Sequence, residues 1–320
     1  MMSYLYLFIM FSGVMVGYII LAKKMGIIDK PNERSSHKKP TVRGGGIIFP
    51  IAVLLWAFLF EQTDWYFVSA VLLMGIIGFL DDRYSLSQLP RLIIQSLGVL
   101  LVLVEMGLLA LPLFYAGIAF ILITGWLNTF NFMDGINGIS VLYAVAILIG
   151  VYLFKDSIPE IQLSLIYTIG LSLLIFGWFN VRKNALAFAG DVGSLTMGLI
   201  MAYLVSTLIL STGRWEFILF FSVYGIDSVL TIFHRLIKKE NIFEAHRTHL
   251  YQYLANEVRV PHLVVSAIYS LLQFSIILGL YSLSSEYWVI YAISVLLILS
   301  LIYVGVKSFI FYKYRIPRSV

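Results

Sequence analysis

Three short acidic stretches in this chain carry residue types and spacings suited to chemistry. Asp81 and Asp82 stand side by side after Gly78, Phe79 and Leu80. Adjacent carboxylates repel unless a cation or donor compensates, so such a pair can hold Mg2+ or a protonated partner, or can end a helix in water beside Arg83. Asp191 is a lone acid between Gly190 and, two residues on, Gly193, at the opening of an apolar run. Backbone N–H groups at a helix start are unpaired and the dipole there favours anions; the same position also suits an Asp that caps the helix. The third stretch, Asn128 to Ser140, is polar where both flanks are apolar. It spaces Asn128, Asn131, Asp134 and Asn137 at near-helical intervals, with Gly135 and Gly138 letting the backbone turn or approach a ligand. Either a site or a capping loop between helices fits that composition.

Histidines and bases supply the complementary charge. The longest polar segment, Arg235 to Pro261, holds Glu244, His246, Arg247 and His249. Two histidines three apart share a helix face, but without a third ligand they make a weak zinc signal; with Arg247 beside them, contact with phosphate is the better expectation. Earlier, His37, Lys38, Lys39 and Arg43 precede Gly44, Gly45 and Gly46 at the start of another apolar segment. That combination suits phosphate, and equally a plain anchor at a membrane face. Asn180 and Phe188 lead into Asp191. Asp227 lies inside an apolar run, where an acid is costly and faces an interior, and His234 and Arg235, roughly two turns on, are its expected partners.

The elements that must position these groups are membrane helices. Hydrophobic residues fill 60% of the 320 positions and charged ones 12%, against about 25% charged in soluble domains. The pattern predicts an all-α polytopic membrane protein of about eleven spans, near 3–22, 44–60, 65–80, 91–107, 109–126, 138–154, 161–179, 192–210, 215–234, 262–283 and 287–311, in a single membrane-embedded domain over 1–320. The first run has no small-residue cleavage site before Lys23 and Lys24, so it reads as a retained helix. There is no cysteine, which excludes disulfides and thiol chemistry.

Charge orients the bundle. Nineteen of the 22 Lys and Arg fall in the loops after odd-numbered spans or in the C-terminal tail; the opposite loops carry only Lys155 and Arg214, and Lys307 lies inside the last span. By the positive-inside rule the N-terminus is outside and the C-terminus cytoplasmic. The net charge of +5 is thus a topology signal with some attraction to membrane lipid, and no nucleic-acid partner is expected. Asp81-Asp82, the Asn128–Asn137 stretch, Asp191 and the His246–His249 loop are separated by two spans each, so all four emerge on the cytoplasmic side. Hard oxygen ligands, helix starts and Arg/His at one face are what a Mg2+-dependent reaction on a pyrophosphate needs, because phosphoryl transfer is mainly positioning and charge neutralisation. The competing class is a transporter of an anionic or phosphorylated solute, for which polar groups at mid-membrane and inverted repeats would be expected; the polar residues here gather at one face, and no such repeat is apparent.

Taken in order, Asp81-Asp82, Asn128-x-x-Asn131-x-x-Asp134-Gly135-x-x-Gly138, Phe188-x-Gly190-Asp191-x-Gly193-Ser194 and the His246–His249 loop resemble the polyprenyl-phosphate N-acetylhexosamine-1-phosphate transferases. The resemblance extends over nearly the whole chain. It implies transfer of a sugar-1-phosphate from a UDP-N-acetylhexosamine to undecaprenyl phosphate with release of UMP, at the cytoplasmic face of a bacterial inner membrane. It further implies Mg2+, or Mn2+ in its place, on Asp191 with Asp134; a uracil ring stacked on Phe188; and Asp81 and Asp82 engaging lipid phosphate or metal. By the same resemblance Asn131 and Asp134 line the nucleotide-sugar pocket, with Asn128, Asn137, Asn180, His37 and Arg43 around the substrate. His246, Arg247 and His249 resemble a phosphate-binding loop, and a homodimer is a further expectation. Three departures stand out: Ser85 where a Lys often follows the paired acids, His-Arg-Thr-His in place of a triple His, and Asn137 where many relatives have Asp. They point away from the peptidoglycan branch and toward O-antigen-initiating members that take GlcNAc, FucNAc or QuiNAc donors.

Overall fold

A computed structural model describes residues 2–31, 36, 39–61, 64–241 and 246–314. Its helices are α1 (Met2–Met25), α2 (Ile48–Leu59), α3 (Trp65–Tyr84), α4 (Gln88–Glu105), α5 (Leu113–Met133), α6 (Ile139–Leu153), α7 (Ile161–Asn180), α8 (Gly190–Thr212), α9 (Ser222–Ile237), α10 (Leu250–Asn256), α11 (His262–Ser282) and α12 (Trp288–Lys313). The strands β1 (Ile28–Asp29) and β2 (Thr41–Val42) form a small antiparallel pair. Each expected span coincides with a helix. Among the described residues nine helical segments are long and apolar enough to cross a bilayer, while α2 and α6, of 12 and 15 residues, are shorter than the roughly 20 that a full crossing takes. The chain is an all-α, multi-pass membrane protein, as backbone polar groups in hydrocarbon require when each segment must satisfy its own hydrogen bonds.

Two helices outrun their apolar stretches. α5 continues to Met133, past the expected end near 126, so Asn128 and Asn131 ride on helix rather than in a loop. α3 continues to Tyr84 and places Asp81 and Asp82 on its last turn. Hydropathy measures what lipid tolerates, whereas the helical ladder persists as long as the polar side chains find protein partners. Ser85, at φ 50°, then stops α3, and the chain reverses into α4.

The core is built around α8. Every residue from Val192 to Val205 is buried, as suits a helix that is apolar on all sides. Helices α3 and α5 flank it, α6 packs on α11, α2 on α7, and α12 on α9. α3 reaches the start of α8 at Gly78, where a Cβ would lie 2.5 Å from the Val192 backbone nitrogen, so only glycine permits this approach. At the other end of α3, Glu105 accepts hydrogen bonds from the Tyr66 and Phe67 N–H groups (3.0 and 3.2 Å), so both ends of this bundle use carboxylates borrowed from neighbouring helices.

Candidate active site

The site forms where the last turn of α3 meets the first turn of α8. Oδ1 of Asp82 accepts the Asp191 N–H at 2.9 Å and Oδ2 accepts the Val192 N–H at 3.2 Å. Asp82 thereby caps α8 from a different helix. Two expectations are corrected here: Asp191 is not the cap of α8 but lies within its first turn, and the N–H groups there serve Asp82 rather than standing open to an anion. Gly190, at φ 71°, makes the arrangement possible, since a Cβ on it would strike the Asp82 carboxylate.

The paired acids are divided between two arginines. Arg43 Nε lies 2.6 Å from Asp82 Oδ1, and its Nη2 lies 3.6 Å from Asp191 Oδ2. Burial disfavours the Arg43 charge, but Asp82, Asp191 and Asp29 together hold its pKa above the usual value. Asp81 instead pairs with Arg91 Nη1 at 2.8 Å and accepts the Leu86 N–H at 2.7 Å. The expected neutraliser Arg83 turns away and donates to the Met25 carbonyl. The Asp82 side chain is fully enclosed, whereas that of Asp191 keeps 16% of its surface. Of these acids Asp191 is therefore the one open to a ligand.

Asn131 donates from Nδ2 to both Asp191 Oδ1 and Ser194 Oγ at 3.1 Å, tying the end of α5 to α8. Asp134 accepts the Ser140 hydroxyl at 2.6 Å. Its burial, reinforced by the negative charges of Asp191 and Asp82, raises its pKa to about 7. A cavity of about 330 Å3 opens beside these groups, lined among others by Arg43, Asn131, Asp134, Phe188 and Asp191.

Other expected site residues build the wall rather than offer free polar ends. Asn137 donates to the carbonyls of Arg182 (2.7 Å) and Lys183 (3.2 Å). Asn180 accepts the Gly138 N–H (2.9 Å) and donates to the Ala187 carbonyl (3.0 Å). Both line the cavity, but their amides stitch the 135–138 turn to the 181–188 loop. Asn128 donates to Thr124 within α5 and does not line the cavity. The glycine run is not a phosphate cradle: Gly45 N–H goes to the Phe188 carbonyl (2.8 Å) and Gly46 N–H to that of Ala189 (3.0 Å). His37 falls outside the described residues.

The histidine loop also departs from expectation. Neither His246, Arg247 nor His249 lines the cavity. His249 is buried, with Nδ1 3.2 Å from Asp227 Oδ1, so His249 and not His234 or Arg235 is the partner of that intramembrane acid. Arg235 is directed to Glu240 at 2.9 Å and to the Asn241 carbonyl at 2.7 Å. His246 packs against the rings of His249 and Phe132. Burial, followed by the positive fields of His249 and Arg235, lowers its pKa to about 4, so at neutral pH it brings no cation to a phosphate. Sequence reasoning missed Gln252 and His262, which do line the cavity. The only signal for His262 was its place directly after Pro261 at the head of an apolar helix.

Among the described residues no three His, Asp or Glu side chains converge as a ready-made metal cluster. Asp191 and Asp134, with the Asn131 amide, nevertheless present hard oxygens to one cavity, a donor set that fits a small divalent cation completing its shell from phosphate and water.

Fold and site together define a polytopic membrane protein with an oxygen-rich, Arg-balanced cavity at one end of its bundle, a class suited to handling phosphorylated ligands at a membrane surface. Residues 65–209, from α3 into α8, match the family model of glycosyl transferase family 4. Over that stretch the chain is similar to members of that family. It is 27% identical over 266 residues to the probable undecaprenyl-phosphate N-acetylglucosaminyl 1-phosphate transferase of Bacillus subtilis, covering 73% of this chain and 71% of that protein. Over 290 residues it is 26% identical to the undecaprenyl-phosphate alpha-N-acetylglucosaminyl 1-phosphate transferase of Thermotoga maritima, covering 87% and 88%. It is also 26% identical over 260 residues to the phospho-N-acetylmuramoyl-pentapeptide-transferase of Lacticaseibacillus paracasei, covering 70% and 78%.

Proposed function

We propose that this chain transfers an N-acetylhexosamine-1-phosphate from a UDP-sugar to undecaprenyl phosphate, at the cytoplasmic face of a bacterial inner membrane, in the first step of O-antigen or related cell-envelope polysaccharide assembly. The observation that carries the reading is the convergence of Asp191, Asn131, Asp134 and Arg43 on one cavity in a chain whose relatives bear those names. In the reaction an oxygen of the lipid phosphate forms a bond to the sugar-linked phosphorus of the donor. The bond from that phosphorus to the bridging oxygen breaks, and UMP leaves. A phosphate monoester has its second pKa near 6, so the nucleophile is largely ionised at neutral pH and needs little help from a general base.

Asp191 and Asp134 would hold Mg2+, which supplies charge neutralisation on the pyrophosphate when bound. Arg43, held ionised between Asp82 and Asp191, faces the same cavity and would bind a phosphate oxygen of the donor. Asn131 orients the Asp191 carboxylate, and Asp82 fixes the helix start on which Asp191 stands. Phe188, half-buried in the lining, offers a ring to the uracil.

Incubation of the purified protein with UDP-GlcNAc, Mg2+ and undecaprenyl phosphate should release UMP, and a panel of UDP-N-acetylhexosamines should identify the donor. Release of no UMP with any donor of the panel would remove the reading and leave the transporter class. The relatives that are pentapeptide transferases favour one second reading, a UDP-MurNAc-pentapeptide donor, which belongs in the same panel.

A further inference from the structure

Lys307 is a buried lysine in the last membrane helix, and its neighbours give it a specific task. Its Nζ donates to the Thr248 carbonyl at 3.0 Å, in the middle of the His246–His249 turn, and to the Tyr303 hydroxyl at 2.5 Å. The Tyr303 hydroxyl lies 2.7 Å from Thr231 Oγ1, which lies 3.4 Å from Asp227 Oδ1. Since an ammonium only donates and a carboxylate only accepts, the hydrogen bonds run one way along this chain: Lys307 to Tyr303 to Thr231 to Asp227. Asp227 closes the circuit on the same turn. Its two oxygens accept the Leu250 N–H (2.9 Å), the Tyr251 N–H (3.3 Å), the Tyr269 hydroxyl (2.7 Å) and His249 Nδ1 (3.2 Å).

The turn is thus gripped from two helices, by an anion on α9 and a cation on α12. What it holds in turn borders the cavity: the His249 N–H is bonded to Gln252, a lining residue, and the Tyr251 hydroxyl donates to the Phe132 carbonyl at the end of α5, beside Asp134. Thr248 Oγ1 further lies 3.1 Å from His246 Nδ1, so the same peptide sets the orientation of that ring. A lysine is costly in a membrane helix, and lipid-facing packing gives no reason for one here.

We propose that Lys307 is a positioning residue for the transfer reaction, holding the His246–His249 turn in register with the cavity wall through the Thr248 carbonyl and the hydroxyl relay to Asp227. The catalytic part of this inference rests on the transferase reading; the clamp itself does not. Lys307→Met keeps the length and apolar stem and removes the donors, whereas Lys307→Arg keeps the charge. Hydrogen exchange followed by mass spectrometry on the detergent-solubilised protein should show faster exchange over residues 246–252 in Lys307→Met and near-native exchange in Lys307→Arg. Turnover of Lys307→Met should fall by roughly tenfold at saturating donor, with a melting temperature close to native, and Lys307→Arg should recover most of it. Tyr303→Phe, which breaks the relay and keeps the ring, should give a smaller effect of the same kind. Unchanged exchange over 246–252 in Lys307→Met overturns the clamp whatever the activity, and faster exchange with native turnover overturns the positioning role. Should the native protein release no UMP from any donor, the proposed function and with it the catalytic part are overturned, and the exchange data alone decide the clamp.

Discussion

Asp82 caps the helix that carries Asp191, from 109 residues away in sequence, and so two acids placed close together have different work: one holds the scaffold and the other faces the cavity. Asp82→Asn should therefore damage structure and activity together. Asn has one carbonyl oxygen where Asp82 uses two, and the change leaves Arg43 without its closest counter-charge. The expected cost is about 1–3 kcal/mol, read as a lower melting temperature in detergent alongside reduced turnover. A variant that lost activity with no thermal effect would mean that Asp82 acts on substrate directly.

Asp191→Asn should behave in the opposite way. The amide oxygen can still accept from Asn131, and the residue is not the cap, so folding should be nearly native. The charge that would face a cation and two phosphates is gone, and turnover should drop on the order of a hundredfold or more, with extra Mg2+ recovering only part. Near-native turnover and Mg2+ dependence would take Asp191 out of the metal site and leave Asp134 as the ligand to test next.

The sequence made Asp191 conspicuous because its glycines and the apolar run that follows are local signals, and the helix does begin there. Its cap was invisible for the opposite reason: the donors belong to α8 and the acceptor to α3, and no spacing rule connects them. Asp227 shows the same limit. Helical spacing nominated His234 and Arg235, whereas the tertiary fold brings His249 and the start of α10 to it. Asn137 and Asn180 looked like ligand-binding amides, yet two loops that cross at the cavity wall need those donors and acceptors for their own backbone. Among the described residues hydropathy located the nine long helical segments and the two shorter ones, α2 and α6, but it ended α5 too early, because Asn128 and Asn131 are polar to a lipid scale and satisfied within protein.

Asp134 gives the pH signature of the site. Its pKa is raised to about 7 from the usual carboxylate value of 3.8, first by burial and then by Asp191 and Asp82. A raised acid contributes stability that is complete below the unfolded pKa and is lost as pH rises through the folded one, so ionising Asp134 costs the native fold between about pH 4 and 7. Asp134→Asn removes that titration and can keep the bond from Ser140. Relative to the native protein, the variant should gain thermal stability from pH 5 to about pH 7 and hold that gain, without further increase, at pH 8. A difference between the two melting curves that stayed constant over this range would show that Asp134 does not titrate there.

Orientation can be read from outside intact cells, since the chain has no native cysteine to compete. Ser87 lies between α3 and α4, beside the site, and Ser157 lies between α6 and α7. An impermeant maleimide should label Ser157→Cys and spare Ser87→Cys. The reverse pattern would put the cavity on the outer face, where cytoplasmic UDP-sugars do not reach it.

Gly190 offers the sharpest test of the cap. Its φ of 71° alone costs an alanine about 1–2 kcal/mol, and the added Cβ would also meet the Asp82 carboxylate. Gly190→Ala should thus lower melting temperature and turnover together, as Asp82→Asn does. Gly117→Ala, on α5 with nothing near its Cβ, should be neutral or slightly stabilising, because alanine is the better helix former. If both damaging changes act by separating Asp82 from the first turn of α8, the second can remove little that the first has left. The double variant Gly190→Ala, Asp82→Asn should then be less destabilised than the sum of the single changes, by about 0.5–3 kcal/mol, as contacting residues are. Strict additivity would mean that Gly190 matters only for its own backbone, and that the bonds from the Asp191 and Val192 N–H groups to Asp82 contribute nothing to holding α8 in place.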